Sequence, residues 1–68
     1  MTTARYPNVT VELVGQNGNV FNLLGLTRRA MLAAGVPDGE VAEFMTEATN
    51  QSSYDAVLGL IMRTVEVQ

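Results

Sequence analysis

Apolar and polar residues alternate from Asn8 to Val14. Val9, Val11 and Leu13 fall on one face, Thr10 and Glu12 on the other, which is the period of a half-buried strand over 8–14. The run Gly15-Gln16-Asn17-Gly18-Asn19 interrupts that period. Asn17-Gly18 favours a hairpin turn, so 20–24 could form a second strand or open a helix. The helix is preferred, because 20–34 holds no proline and Arg28-Arg29-Ala30-Met31-Leu32-Ala33-Ala34 is made of good helix formers. Asn19 is the expected N-cap. Phe21, Leu23, Leu24 and Met31 gather on one side, with Asn22, Gly25 and Arg29 opposite, and Arg28 and Arg29 fall in the half that suits the helix dipole. Ala34-Gly35-Val36-Pro37 is a stop signal, with glycine at the left-handed cap.

A second helix is expected over 38–49. Its first turn is acidic, Val41, Phe44, Met45 and Ala48 form its apolar stripe, and Glu40, Glu43 and Glu47 face water. A third is expected over 53–63, capped by Ser52 with Asp55 three residues on. Tyr54, Val57, Leu58, Ile61 and Met62 share one stripe, and Leu60 widens it past half the circumference. Such a girth belongs at the centre of a core or across an interface. Residues 64–67 alternate again and read as a closing strand. The fold class is α+β: a small β-α-α-α-β domain over 8–68, preceded by a flexible polar tail over 1–7.

Length makes this arrangement precarious. A chain of 68 residues buries roughly 60% of its unfolded surface. That is on the order of 4,000 Å² of apolar area, or about 100 kcal/mol at ~25 cal/mol per Å². Ordering the chain costs about the same, at roughly 1.5 kcal/mol per residue. Small domains close such a gap with disulfides, a metal or a partner. Cysteine and histidine are both absent, which removes disulfides, thiolate chemistry and the usual zinc sites, and no calcium-loop motif is present. Self-association is left, and 47% hydrophobic residues agree with it. A homodimer joining sheets or third helices about a two-fold axis is therefore expected, with Tyr54, Val57, Leu58, Leu60, Ile61 and Met62 as its candidate interface.

Charge narrows the partners. Seven acidic residues oppose four arginines, for a net −3, which argues against nucleic acid. No stretch has the length of a membrane span, so a cytosolic protein is expected. Gly15, Gly18 and Asn19, between strand and helix, are a candidate anion loop. Glycines serving a tight turn explain them more simply. Arg28-Arg29 and the Glu40/Glu43/Glu47 ridge read as solvated faces. The methionines read as core filler, with adaptable binding as their second use. Without a Ser–His, Cys–His or metal set, no enzyme and no cofactor is expected.

Gly15-x-x-Gly18-Asn19-x-Phe21-x-Leu23-x-Gly25, Ala34-Gly35-Val36, Phe44-x-x-Glu47-Ala48-Thr49 and Tyr54-Asp55 together resemble a group of short proteins carried by bacteria, their phages and other mobile elements. The likeness spans 8–67. Asn50-Gln51-Ser52-Ser53 stands where that group has a shorter, glycine-containing connection. The group has no assigned activity, so the resemblance carries over no functional residue. It implies a compact accessory protein of a phage or mobile element. The function expected from all this is a non-enzymatic, homo-oligomeric protein-binding module engaging a host protein. The alternative is a transcriptional regulator of helix-turn-helix type built on the second and third helices.

Overall fold

In the computed structural model, residues 4–13 and 18–68 are described. The elements run β1 (Tyr6–Val11), α1 (Val20–Ala33), α2 (Asp38–Thr49), α3 (Tyr54–Thr64) and β2 (Val65–Val67). This is the expected β-α-α-α-β order, and residues 20–24 belong to the helix. The two strands pair in parallel as a two-stranded sheet. Parallel neighbours need a long crossover, and here the three helices supply it.

The caps explain the helix limits. At the start of α1 the Asn19 side chain accepts from the Phe21 N–H at 2.9 Å. At its end, Gly35 (φ +90°) takes the left-handed conformation. Its N–H reaches the Leu32 carbonyl at 3.1 Å, and the Val36 N–H reaches that of Met31 at 3.0 Å. This is a complete Schellman motif, with Val36 and Met31 both in the core. The Pro37 carbonyl opens α2 by accepting from Glu40 and Val41 at 3.0 and 3.1 Å. Ser53, not Ser52, caps α3, accepting from the Ala56 N–H at 3.1 Å. Arg28 and Arg29 lie one turn short of the end of α1, whose last turn holds no basic residue.

β1 begins two residues earlier than the alternation suggests. Tyr6 pairs with Val65, Thr10 with Glu66 and Val11 with Val67. Pro7, Asn8 and Val9 are thus looped out against a partner that adds no residue. Pro7 has no N–H to give a ladder, which suits it to this bulge, and the bulge turns Val9 into the core. Backbone bonds extend the pairing past both ends: Arg5 N–H to the Arg63 carbonyl at 2.9 Å, Gln68 N–H to Val11 at 2.9 Å, and Leu13 N–H to Gln68 at 3.0 Å. Arg5 and Tyr6 therefore belong to the folded unit rather than to a tail.

The core joins Val9 and Val11 of β1, Leu23, Leu24 and Met31 of α1, Val41, Phe44 and Ala48 of α2, Val57, Leu60 and Ile61 of α3, and Val65 of β2. Two threonines lie inside it. Thr27 and Thr64 donate their hydroxyls to the carbonyls of Leu23 (2.9 Å) and Leu60 (2.7 Å), four residues back. These bonds satisfy groups that would otherwise be costly to bury. The Thr64 bond closes α3 where the chain passes without a loop into β2.

Replacing Gly35 with alanine forces a side chain into the left-handed region. Gly35→Ala is expected to lower stability by about 1–2 kcal/mol in urea unfolding with an unchanged denaturant slope. An unchanged midpoint would contradict the cap.

Candidate functional site

Three helix ends converge on one side of the domain: the start of α1, the end of α2 and the start of α3. Each is fixed locally. Asn19 and Ser53 cap α1 and α3. The last turn of α2 is closed by Asn50 N–H to the Glu47 carbonyl at 3.2 Å and Gln51 N–H to Ala48 at 3.3 Å. The Gln51 side chain adds a bond from Nε2 to the Glu47 carbonyl at 3.1 Å. Between them lies a cleft of about 480 Å³, lined by Val20, Phe21, Leu24, Ala48, Thr49, Gln51, Ser52, Ser53, Tyr54 and Val57. Leu24, Ala48 and Val57 are core residues and form its floor. Hydroxyls and the Gln51 amide line the rim, and the lining holds no charged side chain.

Two aromatic rings stand exposed at this cleft. Phe21 is 76% exposed and Tyr54 45%. Phe21 thus departs from its expected place beside Leu23, Leu24 and Met31: at 100° per residue it falls at the border of the side that Val20, Leu23, Leu24, Thr27 and Met31 turn inward. Tyr54 leans toward the segment before α1, and a β-carbon built on Gly18 would lie 3.6 Å from its hydroxyl.

The expected site residues divide. Val57, Leu60 and Ile61 are buried in the chain's own core, Leu58 is half-buried, and Tyr54 and Met62 are exposed. Gly15 lies outside the described residues. Gly18 and Asn19 are exposed at the start of α1, where the Asn19 side-chain oxygen is engaged in capping. Among the described residues no three acidic side chains cluster as a metal site, and no helix is long and apolar enough to cross a membrane. A second cleft, of about 460 Å³, lies between α1 and α2 at Arg28, Leu32, Asp38, Val41 and Ala42.

One ionisable cluster escapes sequence reasoning because its members are far apart in the chain. The Tyr6 hydroxyl donates to the Glu40 carboxylate. Arg5 lies 3.6 Å from the same carboxylate and 5.3 Å from the Tyr6 ring centroid. Glu40 does not simply face water; it straps β1 to α2. The ion pair itself is exposed and contributes little. The only hint in the sequence is an aromatic residue inside a polar stretch. The hydrogen bond to Glu40 raises the Tyr6 pKa above its ordinary 10.0, burial adds to the rise, and Arg5 opposes it. The folded phenol holds its proton more tightly than the unfolded one. Its contribution to stability is therefore whole below pH ~10 and is lost as pH climbs through the raised folded value. The chain has two tyrosines, so phenolate absorbance in a Tyr54→Phe background reports Tyr6 alone. Its midpoint is expected above 10.0 and should fall when Glu40→Ala is added; a midpoint indifferent to Glu40→Ala would contradict the contact.

In comparison with known proteins, no family model, no curated protein and no solved structure matches this chain.

Proposed function

We propose that this chain is a non-enzymatic protein-binding module that takes a bulky apolar side chain of a partner protein, flanked by basic residues, into the cleft between its three helix ends. The observation that carries the reading is the pair of exposed rings, Phe21 and Tyr54, over an apolar floor. Covering a ring such as Phe21 contributes about 1.5–3 kcal/mol, and aromatic anchors of this kind dominate protein interfaces. The polar rim supplies donors and acceptors at the edge, as interfaces require. Charge selects the flanks. Glu43 and Glu47 are exposed on α2, no arginine lines the cleft, and the chain carries a net −3. A basic segment is steered toward such a surface.

The module works as a homodimer. The support is its size, the absence of cysteine and histidine, and a two-stranded sheet in which each strand has a single neighbour among the described residues. The resemblance of its sequence to short phage and mobile-element proteins supports a partner in a host cell, with the cytosol as the proposed place of action. No observation favours the helix-turn-helix reading. A groove-reading helix needs exposed polar and cationic groups, whereas α3 turns Val57, Leu60 and Ile61 inward and offers Arg63 as its one cation.

Selection from a random peptide display library tests the cleft. Peptides with a large apolar residue between lysines or arginines are expected to be enriched. Phe21→Ser should weaken their binding about tenfold or more, with stability unchanged within ~0.5 kcal/mol because the residue is exposed. No enrichment, or binding indifferent to Phe21→Ser, would overturn the reading.

A further inference from the structure

We infer that a second copy of this chain docks on the outer face of α3, antiparallel to the first, with the two-fold axis passing at Gly59. This rests on the homodimer proposed above and names the surface through which it forms. At 100° per residue, the buried positions Val57, Leu60, Ile61 and Thr64 define the inner side of α3. Asp55, Gly59 and Arg63 then follow one another down the opposite side at four-residue spacing, with Leu58 and Met62 beside them. Met62 is 62% exposed, a large apolar side chain that the chain's own fold leaves in water.

Charge complementarity selects a second copy as the occupant. Asp55 and Arg63 stand four residues to either side of Gly59, roughly 6 Å along the axis in each direction. Both are exposed, and among the described residues neither has an ion pair. Laying a second α3 antiparallel across Gly59 sets Asp55 of each copy level with Arg63 of the other. The contact is thereby self-complementary, as a two-fold interface must be. A parallel arrangement would instead set like charges together.

Gly59 suits the crossing point. A glycine weakens a helix interior relative to alanine. The chain's own packing does not call for one here, because an added β-carbon would meet only the Arg63 guanidinium, at 3.3 Å. That guanidinium lies back over Gly59 in the single copy. Swinging it toward the Asp55 of a second copy would uncover the bare backbone on which the helices cross. Leu58 and Met62 would then be covered on both copies.

Sedimentation equilibrium of the full chain, with circular dichroism to confirm folding, tests this through charge rescue. Asp55→Arg and Arg63→Asp are each expected to weaken dimerisation tenfold or more, and the double exchange should restore it to within about threefold of the unaltered chain. Gly59→Gln should also weaken it tenfold or more. An unaltered chain that sediments as a monomer at micromolar concentration would overturn the homodimer and this surface together. A dimer insensitive to all three single changes would leave the homodimer standing and overturn the α3 surface alone, pointing to the sheet edges. Weakening by both charge variants without recovery in the double exchange would overturn the Asp55–Arg63 pairing.

Discussion

The parallel pairing of β1 with β2 is the contact on which the rest of the fold depends. It joins the first and last elements of the chain side by side, across the three helices that separate them in sequence. Two strands alone are marginal, and this pair is interrupted by a three-residue bulge at Pro7, Asn8 and Val9. It persists because α1 packs on β1 and α3 runs directly into β2, with Val9, Val65, Met31 and Ile61 almost completely buried. Those inward positions are thereby committed. The backbone passes from α3 straight into β2, so the turn of α3 that holds Ile61 and Thr64 is locked to the sheet.

That commitment decides what remains outside. A chain of this length has too little interior to cover every apolar side chain. Among the described residues the surplus of large apolar side chains is not scattered. Phe21 and Tyr54 stand over the cleft where three helix ends meet, and Met62 lies along the outer side of α3. Tyr54, at the first position of α3, adjoins both regions. One region is concave with a polar rim; the other is a helix face with an acid at one end and a base at the other. The first is the surface we propose for a partner's side chain, the second the one we propose for self-contact.

Local signals carried most of the architecture into the sequence. Asn19 and Gly35 mark the limits of α1 because capping chemistry is local. The alternation of Val9 and Val11 placed the strand face correctly. What stayed hidden was set by elements distant in the chain. Phe21 lies at the border of the side that carries Leu24, and how far cover extends around that border depends on where α2 ends and α3 begins. Thr27 and Thr64 read as polar, but their bonds to the preceding turn make them fit for the core. Tyr6 and Glu40 meet across 34 positions, and no periodicity reports such a pair. The broad apolar girth of α3 was legible; its division into Val57, Leu60 and Ile61 within and Leu58 and Met62 without was not.

Fluorine NMR on chain labelled with 4-fluorophenylalanine tests most directly whether the fold leaves an aromatic anchor in water. The chain has two phenylalanines, Phe21 in the open and Phe44 in the core. Two resonances are expected, one showing the solvent isotope shift of a ring in water and lost in Phe21→Ser, the other insensitive to exchange into D2O. Two resonances both shielded from solvent at concentrations where the chain is monomeric would mean that Phe21 fills its own cleft, and no receptor surface would be left.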